Sequence, residues 1–498
     1  MYRSILALSL STILFGCGGG GGGGDSYSAT DSTDKEGSQW ERIIPACPDN
    51  MFCKMLTVPK DYYQADAETV EVHYAIHKAS DTDNRIGILM VNFGGPGGEA
   101  VQGASRMITH DFPDEILQHF DIVALDPRGT GKSAFATELT DCAIALAATT
   151  GNCDDTLTQV APYMGSNTIV KDMNELRKAL GEETISFFSY SYGTRLGSLY
   201  AKYFPENVRA MVLDSPMPPV SDNFIDLKKA STAGNDLIAN YRLDFNPQQK
   251  QSYEAVISHF YNANEYTAND GSHLSMANIS TTLTHTVSRE AWGDWAEIKN
   301  ELITLLDDDK AEPLINKLNS MSSSEYTADD LRFNQVFTAV VCTDESIGLT
   351  QSEINASLPE FEQQSMLYGA YMWKYSAMCA NWQPKRDPID HVKSMQDILS
   401  GQQILIIGGQ YDTATPYQWT TEMANSFGDL ATVITVKNLV SHAFSYTNIR
   451  CVDQYTTGYL LDPTVKIADA SCDINTNKQR KMTKIFNHPA QQNPPGTF

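Results

Sequence analysis

The sequence predicts an α/β fold: a doubly wound, mostly parallel sheet with a helical cap inserted after the sixth strand. The first observation is a set of short, continuous apolar runs, which are typical of strands buried on both faces of a parallel sheet. The second is the helical spacing of apolar residues between several of these runs, for example over 171–180 and 193–204. The third is a long interval, about 215–399, without a convincing buried strand.

The predicted strands are of two kinds. Two stretches that alternate apolar and polar residues, CKMLTVPKDY from Cys53 and TVEVHYAIHKA over 69–79, predict an antiparallel hairpin at one edge of the sheet. The others are continuous apolar runs, and they lie at 86–93, 120–125, 185–188, 208–213, 403–407 and 432–436. Counted from the hairpin, the run at 208–213 is the sixth strand.

The same patterns divide the chain into five segments. Amphipathic stretches such as 291–306 and 330–341 predict a mostly helical insertion that lies as a lid over the sheet. The predicted segments are a lipoprotein signal peptide (1–17), a flexible tether (18–39), the first part of the core (40–214), the helical cap (215–399) and the C-terminal part of the core (400–498).

The first residues predict export and a lipid anchor. After the basic Arg3, the apolar run 5–15 is too short to act as a stable membrane span. The sequence LFGC that ends at Cys17 resembles a bacterial lipobox, whose cysteine is acylated; plain secretion is the alternative. A glycine run (18–24) and a small, polar stretch (25–38) predict the tether. We expect a lipid-anchored protein of the bacterial cell envelope, on the periplasmic or the cell-surface side.

The cysteines agree with export. The chain has nine, and assigning Cys17 to the lipid leaves an even number that can pair in an oxidising compartment. Eight cysteines allow 105 connectivities, and we predict the one that joins sequence neighbours. The predicted disulfides are Cys47 with Cys53, Cys142 with Cys153, Cys342 with Cys379, and Cys451 with Cys472.

Composition and motifs argue against several partners. The chain has 36 Lys and Arg against 61 Asp and Glu, and its formal net charge of -25 would repel nucleic acid and an anionic membrane surface. Membrane contact is therefore expected only through the lipid anchor. The sequence contains neither H-E-x-x-H nor C-x-x-C, and LDPRGTGKS is not a P-loop because Asp126 occupies the required glycine position. We predict no metal and no cofactor.

Ser191 lies where a strand is predicted to turn into a helix. In a G-x-S-x-G elbow, small residues two before and two after the serine let a strained backbone expose the hydroxyl above the sheet. Gly193 fits this pattern, whereas Ser189 replaces the first glycine. Ser191 is therefore a candidate nucleophile, and a turn hydroxyl of no special role is the alternative.

A serine nucleophile needs a base and an orienting carboxylate, which follow it in the order Ser, Asp or Glu, His on this type of sheet. Asp412 comes just after a buried strand in ILIIGGQYDTATP, and His442 follows the last predicted strand in NLVSHAFSY. His488 is a weaker candidate because it lies in a polar, proline-containing tail. The loop NFGGPGGEA over 92–100 can supply an oxyanion donor, or it is an ordinary glycine-rich turn.

Taken together, these motifs resemble a known group. NFGGPGG, LDPRGTGKS, SYSYGT, GGQYDTATP and SHAFSY occur in this order, and over about 53–472 the chain resembles the proline iminopeptidase and tripeptidyl aminopeptidase group of α/β-hydrolases. VVCTDE, CANW and CVDQYTTGYLLDP resemble the tripeptidyl aminopeptidase branch in particular. The resemblance implies a serine exopeptidase that releases short units, tripeptides or single residues, from the amino termini of peptides.

The resemblance also implies residue roles. Ser191 would be the nucleophile, His442 the general base and then acid, and Asp412 the residue that orients the imidazole. The backbone N–H groups of Gly95 and Tyr192 would form the oxyanion hole.

Such an enzyme must bind the charged amine of its substrate. Asp344 and Glu345, next to Cys342, are candidates for this role by position, and surface or structural acids are the alternative.

Two other functions stay open. The same fold and triad hydrolyse esters, so a carboxylic ester hydrolase is the nearest alternative. A catalytically decayed lipoprotein that holds peptides without cleaving them is the second, and Ser189 is the feature that favours it.

Overall fold

The computed structural model of the chain describes residues 46–263, 265–289, 295–321, 327–389, 395–399 and 401–474. The predicted signal peptide (1–17) with its lipidation site Cys17, the predicted tether (18–39) and His488 lie outside the described residues. Within the described ranges, no helix is both long and apolar enough to cross a bilayer.

The described strands form a nine-stranded sheet and a separate two-stranded ribbon. The strands are β1 (Phe52–Pro59), β2 (Thr69–His77), β3 (Gly87–Asn92), β4 (Phe120–Leu125), β5 (Ile185–Tyr190), β6 (Val208–Asp214), β7 (Tyr266–Thr267), β8 (His273–Leu274), β9 (Ile404–Asp412), β10 (Ala431–Ser441) and β11 (Ala470–Asp473). The order across the large sheet is β1-β2-β4-β3-β5-β6-β9-β10-β11.

Strand direction and order confirm the predicted fold class. The hairpin β1–β2 is antiparallel, β2 also pairs antiparallel with β4, and every other pairing in the large sheet is parallel. The short edge strand β11 is absent from the predicted set because its four residues carry no apolar run. It lies beside β10 and contains Cys472, which is bonded to Cys451 at the start of the last helix.

Helices cover both faces of the sheet. They are α1 (Ala100–His110), α2 (Asp114–His119), α3 (Ala136–Ala147), α4 (Asp154–Val160), α5 (Ser166–Ala179), α6 (Tyr192–Tyr203), α7 (Phe224–Leu243), α8 (Pro247–Ala263), α9 (Met276–Thr286), α10 (Trp295–Asp308), α11 (Glu312–Ser320), α12 (Ala328–Asp344), α13 (Gln351–Ala356), α14 (Leu358–Gln364), α15 (Gly369–Lys374), α16 (Tyr417–Phe427) and α17 (Arg450–Leu461).

The continuous apolar runs arise because the central strands are buried on both sides. In β3, Ile88 and Met90 belong to the core on one face, with helices α5 and α6, whereas Leu89 and Val91 belong to the core on the other face, with α1 and α17. Successive side chains of a strand point to opposite faces, so both sets must be apolar here. Burying both sets is what a doubly wound sheet requires.

The helical insertion predicted after the sixth strand lies between β6 and β9. It comprises α7 to α15 together with the small ribbon β7–β8, and most of it packs around a hydrophobic core of its own. Helix α12 is an exception, because its Phe333 and Val336 pack into the same cluster as Leu139 and Met164 of the sheet domain. α12 thereby joins the insertion to the sheet.

The eight cysteines form the four disulfides named above, each between sequence neighbours. They are Cys47–Cys53, Cys142–Cys153, Cys342–Cys379 and Cys451–Cys472.

The LDPRGTGKS motif has a structural role. The guanidinium of Arg128 is fully buried and donates to both carboxylate oxygens of Asp172, at 2.8 and 2.9 Å. It also donates to the carbonyls of Pro59 and Lys60 at 2.6 Å each. Arg128 therefore ties the end of the edge strand β1 to helix α5.

Breaking this ion pair tests that role. We expect Asp172→Ala to lower the free energy of unfolding by about 3–5 kcal/mol, because it leaves a guanidinium buried without its counter-charge. Glu175→Ala, which removes an exposed pair with Lys178 on the same helix, should change it by less than about 1 kcal/mol. Urea titrations of both variants measure the difference, and equal effects would contradict the assignment.

Candidate active site

Ser191 occupies a strained turn between β5 and α6. Its φ of 56° and ψ of -127° lie outside the regions that residues with a side chain normally adopt. The turn is held by a hydrogen bond from the Ser191 N–H to the carbonyl of Asp214, at 3.0 Å, and by Thr194, whose hydroxyl donates to the Ser191 carbonyl at 2.6 Å. Ser191 Oγ is buried and makes no hydrogen bond to the described residues. This is the backbone of a nucleophile elbow.

Ser189 fits the turn in place of the usual glycine. It is fully buried, and its hydroxyl donates to the carbonyl of Val212 on the neighbouring strand, at 3.3 Å. Position 193 cannot carry a side chain, because a Cβ there would lie 2.7 Å from both oxygens of Asn92 and 3.0 Å from Cβ of Ser189. The elbow therefore accommodates a small side chain at position 189 and none at position 193.

Asp412 and His442 meet at the ends of two adjacent parallel strands. The ring of His442 places Nδ1 2.8 Å from Oδ1 of Asp412, and both side chains are buried. The same carboxylate oxygen accepts the backbone N–H groups of Ala414 and Thr415, at 2.9 and 2.8 Å. Burial alone would raise the pKa of Asp412, but the neighbouring His442 and these hydrogen bonds hold it below its usual range. Asp412 therefore stays ionised and orients the imidazole.

The loop that carries His442 is bound to the turn that carries Ser191. At the end of β6, the buried carboxylate of Asp214 accepts the backbone N–H groups of Phe444, at 3.1 Å, and Ser445, at 2.6 Å. The hydroxyl of Ser215 donates to Asp214 and accepts the N–H of Ala443, at 2.9 Å. Burial raises the pKa of Asp214 to about 6, although these donors act in the opposite direction. Asp214 positions the histidine loop relative to the elbow.

The glycine-rich loop after β3 presses against the elbow. Its backbone N–H at Gly94 donates to the side chain of Asn92, at 3.0 Å, and a Cβ on Gly94 would lie 2.8 Å from Cβ of Ser191. Gly94 and Gly95 both have positive φ, 92° and 111°. Tyr192 begins α6, so its N–H has no partner within the helix, and the helix N-terminus favours developing negative charge. A Cβ on Gly94 would also lie 3.2 Å from the backbone nitrogen of Tyr192, so the glycine loop adjoins the start of α6. The roles of Gly95 and Tyr192 as oxyanion donors stay a prediction.

A small pocket lies beside Ser191, with a volume of about 20 Å³, which is room for about one water molecule. Helices α7 and α12 of the insertion supply one wall and the strand ends supply the other. The lining residues are Ser191, Met217, Phe224, Leu227, Lys228, Ser231, Phe337, Val341, Ala414, Thr415 and Trp419. The pocket is therefore largely apolar and is shared between the sheet and the cap.

Lys228 is a polar side chain in this apolar setting. It is only 4% exposed, and its ammonium lies 5.0 Å from the centre of the Phe224 ring. Burial lowers its pKa from 10.5 to about 7. A lysine on an amphipathic helix is ordinarily at the surface, so the sequence contains no signal for its position here.

Asp344 does not line this pocket. It ends α12, is buried, and accepts the N–H and the hydroxyl of Ser166 at the start of α5, at 2.8 and 2.5 Å. Ser166 Oγ lies 2.7 Å from the hydroxyl of Tyr192. Burial raises the pKa of Asp344 to about 7. Its contacts support helix α5 and the elbow helix, so its role toward a substrate amine stays a prediction.

Glu345 does not line this pocket either. It accepts the N–H of Phe224 at the start of α7, at 2.8 Å, and pairs with Arg386 at 3.2 Å. Burial raises its pKa to about 7. Its predicted binding of an amine also stays a prediction.

The arrangement has the parts that acyl transfer requires: a serine at a strained elbow, a buried histidine oriented by a carboxylate, and a glycine loop beside a helix N-terminus. Within the described ranges, no group of three or more His, Cys, Asp or Glu is arranged to hold a metal ion. Two further residues of the site, Asp214 and Lys228, were not predicted from the sequence. An acid that directly follows a predicted strand was the available signal for Asp214.

Substitution at Gly193 tests the tight side of the elbow. We expect Gly193→Ala to slow labelling of Ser191 by a fluorophosphonate by roughly 100-fold, because the methyl group displaces the turn, and to lower the free energy of unfolding by about 1–3 kcal/mol. Gly458→Ala is the control, since a Cβ there meets nothing within 4 Å. Labelling of Gly193→Ala at the wild-type rate would contradict the close contact.

Burial of the Lys228 ammonium should lower the stability of the fold by an amount that depends on pH. Because the pKa of Lys228 is lowered on folding, its destabilising effect is complete below pH 7 and disappears as the pH rises toward 10.5. We expect Lys228→Met to raise the thermal midpoint at pH 6 and this gain to shrink steadily by pH 10. Lys229→Met, at a lysine that pairs with Asp226 and Glu360, should show no such trend. A gain that is constant with pH would contradict the burial of the charge.

The chain is similar in sequence to several known proteins. Residues 364–472 match the family model described as TAP-like protein. Serine protease Hip1 of Mycobacterium tuberculosis is 23% identical, over 85% of this chain and 88% of that protein. Tripeptidyl aminopeptidase of Streptomyces lividans is 25% identical, over 88% and 87%. Carboxylesterase B of Mycobacterium tuberculosis is 26% identical, over 84% and 86%.

Among solved structures, homoserine O-acetyltransferase from Bacillus anthracis is 11% identical and has a TM-score of 0.42, over 84% of this chain and 99% of that one. A score at this level adds nothing to the strand order described above. The sequence relatives are distant but nearly full-length, and they include both a peptidase and an esterase. They confirm the resemblance that the motifs indicated: the chain has an α/β-hydrolase fold and is similar to the TAP-like proteins.

Proposed function

We propose that the chain is a serine exopeptidase that releases short units from the amino termini of peptides through an acyl-enzyme on Ser191. The observation that carries the proposal is the elbow at Ser191 with the Asp412–His442 pair two and three strands away, joined through Asp214. Relatives named as a serine protease and a tripeptidyl aminopeptidase support peptides as the substrate.

The proposed reaction has two halves. His442 takes the proton of Ser191 as Oγ attacks the peptide carbonyl, and the electron pair of the C=O bond moves to oxygen. The N–H groups of Gly95 and Tyr192 stabilise this oxyanion. The C–N bond then breaks as the leaving amine takes the proton from His442, and a water molecule, activated by the same histidine, releases the acyl group as a carboxylic acid.

The relative named tripeptidyl aminopeptidase supports a released unit of three residues.

A carboxylic ester hydrolase is the second candidate. The relative named carboxylesterase B is as similar to this chain as the peptidases are, and the triad chemistry does not distinguish an ester from an amide.

We also propose that the protein acts outside the cytoplasm, anchored by lipid at Cys17. The leader-like residues 1–17 support this location, as do four disulfides, which persist in oxidising compartments.

The test uses the full chain in mild detergent with chromogenic amides of alanine, proline and an alanine tripeptide, and with a p-nitrophenyl ester. We expect cleavage of the tripeptide amide, its loss when the peptide amine is acetylated, and a fall of about 10⁴-fold or more in Ser191→Ala. Ser198→Ala is the control, because this buried hydroxyl of α6 bonds only to the Arg195 carbonyl among the described contacts.

Three other results would redirect the proposal. Cleavage of the ester without any amide would establish the esterase. Cleavage of an acetylated peptide would remove the requirement for a free amine. Absence of any turnover that depends on Ser191 would favour a peptide-binding lipoprotein.

A further inference from the structure

The loop that follows His442 has a strained backbone. Ala443, Tyr446 and Asn448 have positive φ, at 66°, 56° and 68°, a conformation that residues with a side chain rarely adopt. A loop of this kind keeps its shape only where the groups around it fix its backbone. The position of the His442 ring therefore depends on what binds this loop.

Side chains bind four consecutive N–H groups of the loop. Ser215 and Asp214 accept the first three, at residues 443–445. The fourth, the N–H of Tyr446, donates to Oδ1 of Asp453 at 2.5 Å. Asp453 lies in the first turn of α17. Two carboxylates, one from β6 and one from α17, thus hold the segment next to the histidine.

Helix α17 is a firm support for the second carboxylate. Val452, Tyr459 and Leu460 of this helix are fully buried in the core. Cys451, in the first turn, is bonded to Cys472 of the edge strand β11. A carboxylate carried by the first turn of α17 therefore has a fixed place relative to the sheet.

The place of Asp453 is electrostatically unfavourable. Burial raises its pKa to about 7, and Asp214 and Asp111 act in the same direction, whereas the hydrogen bond from Tyr446 opposes them. An acid that is partly buried near two others destabilises a fold unless donors compensate it. The donor here is the backbone of the histidine loop, so the contact serves the loop.

We propose that Asp453 is a positioning residue for the general base: by binding the N–H of Tyr446, it keeps the imidazole of His442 aligned with Asp412 for proton transfer at Ser191. Asp453 acts through the loop and contacts no reacting atom. The proposal rests on the proposed function in taking His442 as the base, but its effect on the contact between His442 and Asp412 needs no substrate.

The first experiment measures hydrolysis of the alanine tripeptide amide by two variants of the full chain. Asp453→Ala should lower kcat by roughly 10- to 100-fold, because a displaced base transfers the proton slowly. KM should stay within about threefold of wild type, since no group that binds substrate is removed. Asp453→Asn keeps an oxygen that can accept the Tyr446 N–H, so its kcat should stay within about threefold of wild type.

Leu460→Ala is the matched control. It lies farther along the same helix, and the loss of its buried methyl groups destabilises the fold. Its kcat should stay within about threefold of wild type. Thermal unfolding compares the stability of the two alanine variants, and an equal loss of kcat in both would overturn the proposal.

A second experiment asks whether Asp453 acts through His442. In a His442→Ala background, adding Asp453→Ala should change the remaining rate of Ser191 labelling by a fluorophosphonate by less than about twofold, because the base that it positions is already gone. A further fall of about tenfold would assign Asp453 to another part of the site and overturn the proposal.

The proton on Nδ1 of His442 gives a readout that needs no substrate. It lies between the imidazole and Asp412, 2.8 Å apart, and should give a downfield ¹H NMR signal. We expect this signal to broaden or disappear in Asp453→Ala and to persist in Asp453→Asn and Leu460→Ala. A signal that is unchanged in Asp453→Ala overturns the proposal.

Failure of the proposed function is a separate result. If no amide is cleaved, the peptidase proposal fails, and the kcat comparison moves to the p-nitrophenyl ester, while the NMR signal still tests Asp453. If Asp453→Ala does not fold, Asp453→Glu takes its place, because it displaces the carboxylate by one methylene group. A wild-type kcat and an unchanged signal in Asp453→Glu would then overturn the proposal.

Discussion

At the end of β6, a single residue binds the two halves of the candidate site. The carbonyl of Asp214 accepts the N–H of Ser191, and its carboxylate accepts the N–H groups of Phe444 and Ser445 that follow His442. A buried carboxylate is costly unless donors surround it, and here the donors belong to the loop that must be held still. The same contacts therefore stabilise the acid and fix the histidine loop relative to the nucleophile.

Asp214 can link these two segments because the strands involved are parallel neighbours. β5, β6, β9 and β10 are consecutive in the sheet, so their carboxyl ends meet at one edge. That rule let the sequence predict Ser191, Asp412 and His442, which lie far apart along the chain. The same rule did not identify Asp214, because an acid that follows a strand is commonly a turn residue. The partners of Asp214 also come from a loop more than 200 residues later in the chain.

The sequence predicted that the cap is a helical insertion, but it did not predict which cap residues contact the site. Amphipathic spacing indicates that a helix has a buried side, yet it does not say which element covers that side. Asp344 and Glu345 were candidates because they stand next to Cys342, and in the structure both contact helix N-termini. No sequence pattern singles out Lys228, and only the packing of α7 places it in the lining of the pocket that also contains Ser191.

Ser189 and Gly193 show that the two small residues of the elbow are not equivalent. A Cβ at residue 193 would lie 2.7 Å from both oxygens of Asn92, so this position is closed to a side chain whatever residue stands at 189. The hydroxyl of Ser189, by contrast, has a partner in the Val212 carbonyl. A search pattern that requires glycine at both positions will therefore overlook elbows of this geometry.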